Sequence, residues 1–132
     1  VSQLDPTLFY DFNKLASICK DLDFKYQQLA ADEFKVILRD DIYLGLVNLP
    51  DDTLIYMDEE QHTHGINFAL GTYGYTSIHY LDILLLIRTG EIWIYERYYK
   101  KRLYIRWLVH CTEIANELEN LESDEEIHVI RL

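Results

Sequence analysis

The sequence predicts an α+β fold, an antiparallel sheet flanked by a long N-terminal helix and an amphipathic C-terminal helix. Three observations lead there. Near the start, Leu8, Phe12, Leu15, Cys19, Leu22, Tyr26 and Leu29 recur in alternating steps of four and three, which places them on one helical face. Short runs rich in β-branched and aromatic residues follow, parted by acidic turns. A second helical stripe closes the chain through Tyr104, Trp107, Leu108, Cys111, Ile114, Ala115, Leu118 and Leu121. With 132 residues, 49% of them hydrophobic and 14% aromatic, the chain has enough bulk for one domain, residues 1–132, with its own core.

Asp5-Pro6 is a good helix start, an acidic N-cap followed by proline in the first turn, so the first helix is expected over residues 6–31. Strands are expected at 34–38, 42–49 and 53–57, joined through Arg39-Asp40-Asp41 and Pro50-Asp51-Asp52. A polar loop, "DEEQHTHG", leads to a further run at 66–70 and a glycine-bearing loop, "GTYGY". The apolar run Ile83–Ile87, then Arg88-Thr89-Gly90 and "EIWIYE", reads as a hairpin with glycine supplying the positive φ of the turn. In its second arm Ile92 and Ile94 share one face, Trp93 and Tyr95 the other. The tail "SDEEIHVIRL" is either a last edge strand or frayed.

Charge is divided unevenly. The formal net charge is -11, yet residues 83–112 hold six of the twelve basic residues against only Glu91 and Glu96. An acidic surface repels phosphate backbones, which argues against nucleic acid as a partner and favours steered encounter with basic polypeptides. No run of 18 apolar residues occurs and the first residues lack a basic start before an apolar block, so neither a membrane partner nor a signal peptide is expected. Cys19 and Cys111 read as two buried free thiols, and the cytoplasm is the expected compartment. The basic segment 97–106 interleaves Tyr98, Tyr99 and Tyr104 with cations. The plain account is that these cations neutralise acids of the sheet edges or the closing helix.

Candidate chemistry is thin. His62 and His64 form an H-x-H pair beside Asp58, Glu59 and Glu60, but no further motif completes a ligand set, so no metal and no cofactor are expected. Ser77, His79 and Asp82 supply the residue types of a hydrolase triad without a nucleophile elbow. His110 and Cys111 are neighbours that diverge on a helix, and "GTYG" lacks the lysine of a phosphate loop. No catalytic residue is assigned, and a non-enzymatic binding protein is the expectation.

The order of these pieces resembles the class I chaperones of type III secretion systems. The matching stretches are "LFYDFNKLASIC", "VILRDDIYLGLVNLP", "INFALGTYG", "LLLIRTGEIWIYE" and "LVHCTEIANELENL". The family places a second helix before the Asn-aromatic stretch, where "MDEEQHTHG" is too short and polar for one; a helix here would have to be built later, around "YTSIHYLDILLL". The resemblance implies a homodimer that holds the N-terminal segment of a secreted effector extended. The implied partner-binding residues are Val36, Leu38, Tyr43, Leu44 and Leu46, and the implied dimer contacts are Trp93 and Tyr95. The basic aromatic segment would then meet acidic surface on the second subunit or client. The competing expectation is an immunity protein whose acidic face plugs a cationic, nuclease-type toxin. An enzyme built on His62 and His64 ranks last.

Overall fold

The computed structural model describes residues 8–57, 62–72 and 76–132. Helix α1 (Phe12–Leu22) is followed by a five-stranded antiparallel meander: β1 (Lys25–Ala30), β2 (Glu33–Arg39), β3 (Ile42–Asn48), β4 (Thr53–Tyr56) and β5 (His62–His64), in that spatial order. A hairpin, β6 (Asn67–Leu70) and β7 (Thr76–His79), leads into helix α2 (Tyr80–Arg88). Strands β8 (Ile92–Tyr99) and β9 (Arg102–His110), a short 3-10 turn, helix α3 (Ile114–Glu119) and β10 (Glu125–Ile130) complete the chain, with β8 central between β10 and β9. The α+β class and the antiparallel pairing agree with the sequence reading. The single sheet and the long N-terminal helix do not, because there are several sheets and α1 has 11 residues.

The expected start at Asp5-Pro6 lies outside the described residues, within which the helix begins after Asp11, whose side chain accepts a hydrogen bond from Lys14 N at 3.1 Å. It ends where Asp23 turns left-handed at φ 59°, with Phe24 N bonded back to Cys19 O at 2.8 Å. Arg88 of α2 then caps the end, donating from Nε to Leu22 O and from its guanidinium to Asp23 O, its plane 4.0 Å over the Phe24 ring. So Tyr26 and Leu29, which continued the helical stripe, belong to β1. Tyr26 stacks on Phe34.

Residues 83–87 are helix, not strand. Tyr80, Ile83, Leu84 and Ile87 are buried at helical spacing, and His79 caps the start by accepting from Leu81 N. Gly90, at φ 84°, ends the helix rather than turning a hairpin, with Glu91 N bonded to Leu86 O. This is the helix position allowed for around "YTSIHYLDILLL". The expected closing helix is mostly strand, because residues 102–110 pair with β8 through a two-residue turn in which Lys100 (φ 48°) and Lys101 (φ 68°) are both left-handed. Only Ile114–Glu119 is α-helix. The tail is a strand at the sheet edge beside β8.

Phe12, Leu15, Phe34, Val36, Leu44, Leu46 and Ile55 join Ile83, Leu84, Ile87, Ile94 and Leu108 in a common core, which lies under α1 and α2 and extends to β8 and β9. Cys19 is buried there, and burial pushes its thiol up to about 11. Cys111 is half-buried, and both cysteines are free. Among the described residues no helix is long and apolar enough to cross a membrane.

Candidate functional site

Four of the five residues expected to meet a partner face the core. Val36, Leu38, Leu44 and Leu46 are 0%, 8%, 3% and 1% exposed. Only Tyr43 points the other way. Those four belong to the inward row of the hairpin, because strand side chains alternate and a choice shifted by one residue selects the opposite surface. The outward set is Glu33, Lys35 and Ile37 on β2, Tyr43, Gly45 and Val47 on β3, and Leu54 and Tyr56 on β4. His62 pairs with Tyr56 and His64 with Leu54, so both histidines join this face on β5. Of the two expected dimer contacts, one is buried and the other half-buried within the chain. Tyr95 is enclosed, its hydroxyl 3.0 Å from Thr72 Oγ1. Trp93 is half-buried, donating to Gly90 O at 2.8 Å beneath the Arg131 guanidinium.

The centre of the outward face is aromatic. Tyr56 lies directly over Gly45, where an added Cβ would sit 2.2 Å from the ring. Crossing β3 in this way, its hydroxyl donates to Glu33 Oε2 at 3.1 Å. Burial, helped by the Glu33 carboxylate, pushes the phenol up to about 12, so it remains a donor. Tyr43 stands edge-on at 6.1 Å, with Lys35 Nζ 3.9 Å above its own ring. Ile37, Val47 and Leu54 are half-buried around the pair.

Both ends of this face are acidic. Asp40 and Asp41 occupy the β2–β3 turn; Asp32, Asp51 and Asp52 occupy the turns at the other end, and all five are exposed. At that second end a cleft of about 370 Å³ is lined by Leu8, Phe9, Asp51, Asp52, Thr53, His64, Gly65, Ile66 and Asn67. A second, of about 490 Å³, lies across Phe9 and takes in Asp11, Gln28, Ala31 and Asn48. Among the described residues neither is lined by a lysine or arginine. The strap between them is fixed. Tyr10 and Asn48 exchange two hydrogen bonds, Tyr10 Oη donates to Gly65 O at 2.6 Å, and Asp11 N donates to Tyr80 Oη at 2.8 Å. Burial raises the Tyr10 phenol far above its usual range.

The arginines of the basic segment are largely spent inside the molecule. Arg97 is almost fully buried, 3.4 Å from Glu117 Oε2 on α3 and 3.1 Å from Glu125 Oε2 on β10. It also donates to Thr72 Oγ1, and Glu117 in turn accepts from Thr72 N. Tyr104 Oη donates to Glu125; with a backbone donor at Glu122 and with Arg97, it holds that carboxyl below the usual range. Arg106 pairs with Glu96 through two bonds, at 2.9 and 2.6 Å. Lys100, Lys101 and Arg102 stay exposed at the hairpin tip, where Lys100 N bonds to Asp124 O.

His79 and His110 are helix and turn caps. His62 and His64 belong to a strand rather than a loop, and among the described residues no three or more His, Cys, Asp or Glu side chains are placed to hold a metal. Asp58, Glu59, Glu60 and the Tyr73-Gly74 part of "GTYG" lie outside the described residues. No protein-family model, curated protein or solved structure matches the chain.

Proposed function

We propose that the protein is a non-enzymatic binding module whose outer sheet face receives a cationic polypeptide, in the manner of an immunity protein that covers a nuclease-type toxin. The observation that carries this reading is the arrangement of that face: an aromatic and apolar centre on Tyr43, Tyr56, Ile37, Val47 and Leu54, between two acidic ends. Such a centre, with a polar rim, is the make-up of protein–protein interfaces. The acids of the turns outnumber Lys35 and Arg39, the cations of this face and its β2–β3 end, while Arg97 and Arg106 are paired within the other sheet, which favours a basic partner and repels nucleic acid. The reading needs no cofactor, no metal and no second subunit, and it suits the cytoplasm.

A second reading, the type III secretion chaperone, draws on one observation. Strand β1 is an open sheet edge, exposed at five of its six residues, where an extended effector segment can add as a further strand.

Titration calorimetry against folded cationic nuclease domains, with light scattering of the free protein, tests the pair. The first reading predicts a monomer and a one-to-one complex that weakens with salt and is lost in Tyr43→Ala/Tyr56→Ala. A stable dimer that binds only extended segments favours the chaperone. Tight binding of a nuclease domain that survives the double substitution overturns the assignment of the face.

A further inference from the structure

Lys35 stands at the centre of a face read as receiving cations, and its own side chain shows what that centre can hold. It lies on β2 opposite Gly45, in the same outward row as Glu33. Its ammonium is 3.9 Å from the Tyr43 ring centroid, the shortest cation–ring distance among the described residues. Two of the other cations are fixed by further bonds. Arg88, over Phe24, is tied to two carbonyls at the end of α1, and Arg97, near Tyr104, to Glu117 and Glu125. Among the described residues Lys35 pairs with no carboxylate, although Glu33 shares its row. That carboxylate is instead taken by the Tyr56 hydroxyl, reaching across Gly45. The ring is what holds the ammonium.

We infer that the Tyr43 ring is a seat for one lysine or arginine side chain of the partner, which Lys35 covers in the free protein and vacates on binding. The inference rests on the reading that the face takes a cationic polypeptide. A tyrosine ring attracts a cation to its face through its quadrupole, whichever chain supplies the cation. Tyr43 is half-exposed, with Tyr56 edge-on beside it at 6.1 Å and an interplanar angle of 83°. The lysine stem is flexible, so its ammonium leaves the ring by rotation about its own side-chain bonds. Lys35 therefore restrains binding in two ways. Its charge repels the partner wherever the side chain points, and its ammonium must quit the ring before another takes that place. The first effect belongs to Lys35 alone; the second needs Lys35 and Tyr43 together. The second is worth about threefold in affinity, the strength of a cation–ring contact at a solvated site.

Fluorescence anisotropy with labelled nona-arginine as the probe, at low salt, separates the two effects. Lys35→Ala is made in the wild type, in Tyr43→Leu and in Tyr43→Phe. It tightens binding in all three by removing a like charge, and this part cancels between backgrounds. In the wild type the gain is expected to exceed that in Tyr43→Leu by about threefold, because only there is a ring uncovered. Tyr43→Phe keeps an aromatic face and is expected to restore the larger gain. A gain in the wild type no larger than in Tyr43→Leu overturns the inference and leaves the reading of the face standing. Absence of binding by the wild type, or binding indifferent to Asp51→Asn/Asp52→Asn, overturns the reading and the inference with it.

Discussion

The five-stranded meander and the β10–β8–β9 sheet are built from the same alternation of side chains, and they dispose of their second faces in opposite ways. In the meander the inner residues Phe34, Val36, Leu44 and Leu46 are buried, while the outer row of Tyr43, Val47, Leu54 and Tyr56 is half-exposed, with acids only at its ends. On β8 both rows are buried: Ile92 and Ile94 on one side, Tyr95 and Arg97 on the other. There the charges are drawn inward. Arg97 joins α3 and β10 to the sheet, and Glu117 is the buried residue of α3, a helix whose Leu118 is left exposed. One sheet is therefore held partly by an internal ion network, and the other keeps an apolar surface open under an acidic rim. The difference explains how a chain of net charge -11 can concentrate its bases in one segment without presenting all of them as a cationic patch.

The comparison breaks most visibly at Arg97. Replacing it with methionine leaves the buried Glu117 and the half-buried Glu125 without a cation, and a loss of about 3–5 kcal/mol in unfolding free energy is expected near neutral pH. Urea denaturation measures it, and the loss should shrink at acid pH as Glu125, whose carboxyl Arg97 helps hold low, takes up its proton. A cost under about 1 kcal/mol would mean that the pair behaves as an exposed one.

A smaller effect is expected in the meander. Gly45→Ala forces the Tyr56 ring off its seat and away from Glu33, costing about 1–3 kcal/mol. In a Tyr56→Ala background the same change should cost nothing or stabilise by about 0.5–1 kcal/mol, since glycine within a strand is otherwise unfavourable. Denaturant midpoints of the four proteins give the sign directly, and equal costs in both backgrounds would show that Tyr56 does not rest on Gly45.

Much of the first half was legible. Acidic turns between apolar runs located β2, β3 and β4, because Asp and Pro mark hairpins for reasons local to the backbone. The face was harder, since Ile37 and Val47 make the outer row nearly as apolar as the inner one. Glu33 and Lys35 were the available signal, two charges at odd positions that mark odd residues of β2 as outward. The β8–β9 hairpin hid because its turn is Lys100-Lys101, where asparagine and glycine are the usual occupants of paired left-handed positions. Once that turn was missed, Tyr104, Trp107, Leu108 and Cys111 matched a helical period by coincidence, although Tyr104, Ile105, Trp107 and Val109 are strand formers. The Arg97 network depends on β10 returning beside β8, a tertiary event that no local pattern announces.

Amide NMR of the labelled protein during titration with nona-arginine is the most direct measurement of the central claim. The account predicts shift changes concentrated at Lys35, Ile37, Tyr43, Val47, Leu54 and Tyr56 and at Asp51 and Asp52, reversed by salt. Changes gathered instead on the β8–β9 tip or on α1, with the meander silent, would contradict it.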